Sequence, residues 1–230
     1  MTSIDAPRRA LDRRFILFLA GFYTAWCLRV VLLLPIDQQI ENEWFRQGWS
    51  QGLRIALWVL PMALYLRCVD RTGVLSFLKA DTLPRGRRLL RGLGIMVVFL
   101  TAITLSALAF QGGSLTKLFS MKGPQWAVLL IGMSVVSVAE EALFRGFILQ
   151  KLQSAFSFHW ANLLTAVLFL LIHWPGWLYM QGLHSGLLPL CAGVFIAGWV
   201  FGLTFQVTRS LWPPVVLHLL NNVWSVLLLA

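Results

Sequence analysis

Two adjacent glutamates, Glu140 and Glu141, stand inside the apolar run AVLLIGMSVVSVAEEALFRGFIL, and Arg145 follows them within the same run. A charge at that depth in an apolar helix is costly, so each of the three needs a partner or a task. At about 100° per residue the two carboxylates cannot point the same way, whereas residues four apart share a face. Glu141 is therefore the natural ion-pair partner of Arg145, and Glu140 is left without a cation on its own helix, which suits it to take a proton from water. The same trio could instead form an internal ion pair that only locks helices together.

Two further apolar runs each bring a polar group. Phe169 and His173 are four apart, and Trp174-Pro175-Gly176 follows at once, so regular helix must kink or end near His173 and free a backbone carbonyl. Non-helical backbone at membrane depth is tolerated only against protein or a wet cavity, which favours an interior site. His218 and Asn222 are likewise four apart, with Asn221 beside them on a slightly rotated face. A lone histidine in an apolar helix is commonly a hydrogen-bonded core residue, but three helices each presenting a polar group are harder to explain that way. Counted along its helix from the basic side, Glu140 lies about 16 Å from Lys151, His173 about 18 Å from Ala161, and His218 to Asn222 roughly 8–14 Å from Pro213. The groups are expected to meet at one level, in the half of the bundle nearer the basic segments. His159 and His184 fall in short loops and read as solvated or interfacial residues.

The elements that would position these groups are membrane helices. The chain has 230 residues, of which 58% are hydrophobic and only 12% charged. That balance excludes a soluble globular domain and makes the bilayer the solvent. Seven spans can be drawn, near 15–35, 53–67, 92–111, 125–150, 161–180, 187–207 and 213–230, giving an all-α polytopic transmembrane bundle. Residues 1–122 hold the first three spans and a basic loop, and residues 123–230 the four that carry the polar groups. The segment 36–50, with Ile36, Ile40 and Trp44 spaced four apart, suits a helix lying in the outer interface. Gly198 and Gly202 form a small-xxx-small pair suited to close helix packing.

The net charge of +10 does not point to nucleic acid, because the cations collect in alternate polar segments: Arg8, Arg9, Arg13 and Arg14 before the first span, then Arg67, Arg71, Lys79, Arg85, Arg87, Arg88 and Arg91 in one loop. By the positive-inside rule these segments and the N-terminus are cytoplasmic, while the outer segments hold only Arg46, Arg54, Lys117 and Lys122. Arg29 is expected to snorkel or to pair with an acid of the outer segment. Cys27, Cys68 and Cys191 are far apart and suggest neither a disulfide framework nor a cysteine zinc site.

Taken in order, E-E-A-L-F-R at 140–145, F-L-L-I-H at 169–173 and H-L-L-N-N at 218–222 resemble the E-E-x-x-x-R, F-x-x-x-H and H-x-x-x-N motifs of the CAAX protease and bacteriocin-processing family, which includes the Rce1-type CAAX prenyl endopeptidases. The resemblance covers roughly residues 123–226. It implies a multi-pass intramembrane endopeptidase of glutamic type, with Glu140 and His173 activating water, His218 and Asn222 holding the oxyanion, and Glu141, Arg145 and Phe169 in support. It implies no obligatory cofactor or metal. Its expected partners are membrane lipids and a membrane-anchored or C-terminally processed protein or peptide, and the lack of an organelle signal or extra domain leans toward a bacterial plasma membrane. Two other readings remain open: a zinc protease with Glu140, His173 and His218 as ligands, and a non-proteolytic scaffold, immunity factor or transporter.

Overall fold

The computed structural model describes residues 10–110 and 123–229, and every regular element among them is a helix. The bundle comprises α1 (Arg13–Gln39), α2 (43–68), the single turn α3 (Val74–Phe77), α4 (Arg87–Phe110), α5 (Gly123–Gln153), α6 (Phe158–Leu171), α7 (Trp174–Gln181), α8 (Leu187–Thr208) and α9 (Trp212–Leu229). Five helical stretches among the described residues are long and apolar enough to cross a membrane: α1, Arg87–Ala109 of α4, α5, Phe158–Gln181 and α8. The seventh expected span corresponds to α9, which runs to the limit of the described residues. The second lies within α2, where Arg54 and Arg67 bracket a short apolar stretch.

The segment 36–50 does not form a separate surface helix. Residues 36–39 complete α1, and α2 starts at Glu43, capped by the Asn42 side chain, which accepts from the Phe45 amide at 3.0 Å. No proline interrupts the chain between Asn42 and Leu60, so the polar Glu43–Arg54 half continues through a wide π-helical turn, Ile55–Val59, into Leu60–Cys68. Helix α2 lies so close to α5 that a Cβ on Gly132 would strike the Gln47 amide.

Helix α5 is the axis of the molecule. It contains two π-helical stretches, Val128–Met133 and Ala142–Leu149, and all eight residues of the second are buried. An α-helix in a small bundle normally leaves one face to its surroundings; here protein covers every face. On one side Phe147 packs edge-on against Phe15, Phe18 and Tyr65, with ring centroids 5.7, 5.1 and 5.3 Å apart, joining α1 and α2 to α5. On the other, Arg145 reaches α8 and stands over the rings of Phe169 and Phe201 at 4.5 and 5.2 Å.

The basic loop between α2 and α4 is docked against the end of the bundle. Leu78 is buried against Gly146, where a Cβ would meet its side chain at 2.8 Å. The Leu211 amide donates to the Lys79 carbonyl at 3.1 Å, Ser210 to the Thr82 carbonyl at 2.5 Å, and Trp212 Nε1 to the Ala80 carbonyl at 2.8 Å. Lys151 pairs with Asp70 at 2.6 Å. These bonds close the end of the bundle that carries the basic segments.

The small-residue pair of α8 packs as its spacing predicts. At Gly202 an added Cβ would fall on the Asn162 side chain, which is fully buried and donates to the Trp199 carbonyl at 3.1 Å. Replacing Gly202 with valine is expected to displace that amide and destabilise the bundle by about 1–3 kcal/mol, read as a lower unfolding temperature in detergent. An unchanged temperature would mean that α6 and α8 can separate at no cost.

Candidate active site

The break between α6 and α7 creates the first functional feature. Pro175 cannot donate to the turn before it, and the chain tightens so that the His173 amide bonds to the Leu170 carbonyl at 3.1 Å. The Phe169 carbonyl is thereby freed and takes a hydrogen bond from His173 Nδ1 at 2.9 Å. A carbonyl oxygen only accepts, so Nδ1 carries the proton, and in neutral His173 the other ring nitrogen, Nε2, holds a lone pair. The Ile172 carbonyl, also freed, accepts from Trp26 Nε1 at 2.8 Å, which fastens α1 to the break.

The two glutamates occupy different surroundings. Glu141 and Arg145 are both fully buried; Arg145 Nη1 donates to Glu141 Oε1 at 2.7 Å and Nη2 to the Gly198 carbonyl at 2.7 Å. The same Glu141 oxygen is 2.8 Å from His218 Nδ1, so Glu141 orients the histidine as well as the arginine. Glu140 is 4% exposed, and its Oε2 has no hydrogen-bond partner; His218 Nε2 lies 3.7 Å from it. His218 thus bridges the glutamates, bonded to one and merely close to the other. Its ring is stacked on Phe201 at 4.8 Å and meets Phe169 edge-on at 5.8 Å.

Asn222 belongs to the same face of α9 as His218, and its amide is 3.5 Å from Ser137 Oγ. Ser137, one turn before Glu140 and fully buried, donates to the Met133 carbonyl at 2.7 Å. Nothing in the sequence analysis singled it out; a serine three residues before a buried carboxylate in an apolar helix is the signal that was available.

Glu140, His173, His218 and Asn222 line one cavity of about 440 Å³. Glu141, Arg145 and Phe169 stand behind its wall. The N-terminal helices add Trp26 and Arg29 of α1 and Ser50, Arg54 and Trp58 of α2 to the wall, and α7 adds Trp177 and Met180. Arg29 forms an ion pair with Asp37 and donates to Ser50 Oγ at 2.9 Å, the acidic partner expected of it. Arg54, counted in the sequence only as one cation of an outer segment, proves to be a cavity residue.

The sequence placed the polar groups in the half nearer the basic segments. The cavity in front of them is lined by Leu34, Ser50, Trp177 and Met180, all from the end of the bundle remote from those segments. Counting along helices finds the level at which groups meet but not which end is closed, and here residues 70–83 seal the basic end.

No set of three His, Cys, Asp or Glu residues among the described ones is arranged to hold a metal ion. His173 Nδ1 is taken by a backbone carbonyl and His218 Nδ1 by Glu141, so each ring has only Nε2 left to offer a ligand.

Residues 122–224 match the family model described as type II CAAX prenyl endopeptidase Rce1-like. Over this segment the chain is similar to that family. No curated protein and no solved structure matches the chain. The Rce1-like segment contains every polar group of the cavity that α5, α6 and α9 supply, and with its apolar helices the chain is a multi-pass membrane protein.

Proposed function

We propose that the protein is an intramembrane endopeptidase that hydrolyses a peptide bond of a membrane-associated protein or peptide, using Glu140 and His173 to activate water. The observation that carries this reading is the shared cavity, in which Glu140 has an oxygen without a protein partner and His173 has its Nε2 free because Phe169 holds Nδ1. Either group can take the proton of a water held between them as it attacks the peptide carbonyl, and return it to the departing amine nitrogen. His218 in its imidazolium form, with Nδ1–H given to Glu141, offers Nε2–H to the oxyanion, and the Asn222 amide supplies a second donor.

Water activation here uses no bound metal. Cleavage is expected to persist in the presence of strong chelators, with the purified protein free of stoichiometric zinc; loss of activity on chelation and its return with zinc would replace this reading by the metalloprotease one. The substrate is sought with Glu140→Gln protein expressed in the native host, where an uncut membrane-bound precursor should accumulate and be cleaved on addition of wild-type protein. If wild-type protein cleaves nothing that accumulates in that strain, the proteolytic reading fails. The basic segments, by the positive-inside rule, put the N-terminus in the cytoplasm, and a bacterial plasma membrane is the proposed setting.

A further inference from the structure

Three arginines reach the interior of the bundle near the cavity, and two are neutralised: Arg29 by Asp37 and Arg145 by Glu141. Arg54 forms no ion pair with any described residue. Its Nη1 donates to Gln51 Oε1 at 2.5 Å, while its Nε is buried without a hydrogen-bond partner. The guanidinium carbon stands over the Trp26 and Trp58 rings at 5.6 and 5.2 Å, so indoles hold the flat group against the cavity wall. The negative charge of Glu140, on the same cavity, acts on Arg54 without a bond between them.

An uncompensated guanidinium stacked on aromatic rings, with N–H donors left over, is suited to the planar, two-oxygen geometry of a carboxylate. Glu140 cannot be that carboxylate while it remains free for water. We propose that Arg54 is a specificity-determining residue that binds a carboxylate of the substrate inside the cavity and so sets which peptide bond lies against Glu140 and His173. The carboxylate is either the C-terminal one of the peptide or an acidic side chain. This inference rests on the proteolytic reading for its consequence, but the binding step does not require turnover.

The test is equilibrium binding to purified protein in neutral detergent, with N-dodecanoylglycine and its uncharged amide as a matched pair of probes. The wild type should bind the carboxylate about tenfold more tightly than the amide, a preference that Arg54→Gln removes and Arg54→Lys partly retains. Equal binding of the two probes by the wild type overturns the proposal without reference to any variant, and so does a preference that survives in a folded Arg54→Gln protein. A library of peptides offered with free or amidated C-termini then separates the two sources. Cleavage confined to free C-termini identifies the terminal carboxylate, and cleavage of amidated peptides with Asp or Glu at a fixed distance from the cut identifies a side chain. Cleavage indifferent to both overturns the proposal while leaving the protease reading intact; intact carboxylate preference in a protein that cleaves nothing does the reverse.

Discussion

Glu140→Gln is expected to lower the rate of peptide cleavage by about 10³–10⁴-fold while leaving the protein inserted and folded. The amide is nearly isosteric with the carboxylate, and Glu140 Oε2 makes no hydrogen bond that the substitution would break. What is lost is the ability to accept a proton from water beside His173. His173→Ala removes the other acceptor and should be similarly inactive, with an added structural effect because the Phe169 carbonyl loses its donor. The measurement is initial cleavage rate together with the unfolding temperature of each variant. Full activity in folded Glu140→Gln protein would remove Glu140 from the chemistry and leave the unbonded carboxylate without a role.

The largest effect on stability should come from Arg145→Leu. Arg145 and Glu141 are both completely buried, and removing the cation leaves a carboxylate in the axis of the bundle with only His218 to answer it. Breaking one partner of a buried pair costs about 3–5 kcal/mol, whereas replacing both by apolar residues of similar volume is often far milder. The double variant Glu141→Leu/Arg145→Leu should therefore be more stable than Arg145→Leu alone, yet poorly active, because His218 loses the acceptor that fixes its ring. Thermal unfolding and cleavage measured on the wild type, the single variants Glu141→Leu and Arg145→Leu and the double variant distinguish this from a simple additive loss. If the double variant is as destabilised as the sum of its single variants, the pair contributes through packing against Phe169 and Phe201 and not through its charges.

The parts of this arrangement that depend on one helix were readable from spacing. The four-residue interval between Glu141 and Arg145, the helix break forced by Pro175 and the close packing at Gly202 follow from local geometry, and each has its counterpart in the structure. The parts that depend on chain segments far apart were not. Trp26 bonds to Ile172 across 146 positions, and Arg54 joins a cavity whose acidic group lies on α5. No periodicity records such contacts. Likewise the segment 70–83 reads as a basic loop, yet Leu78 anchors it against Gly146, and nothing in its sequence marks Leu78 out from Val74, Leu75, Phe77 or Leu83 for that role. The bond from His218 to Glu141 is the most instructive difference. Helix geometry made Glu141 the partner of Arg145 alone, and only the approach of α9 gives it a second task.

The complete enclosure of residues 142–149 also bears on how the protein is made. A segment carrying Glu140, Glu141 and Arg145 near its middle, entering lipid alone, would meet a penalty on the order of 9 kcal/mol at about 3 kcal/mol per charge. Burial of Glu140, Glu141 and Arg145 among the neighbouring helices relieves α5 of that penalty. Synthesis supplies α1 and α2 first, with the aromatic surface of Phe15, Phe18 and Tyr65 ready for Phe147. The N-terminal helices, which lie outside residues 122–224, thus cover one side of that charged helix.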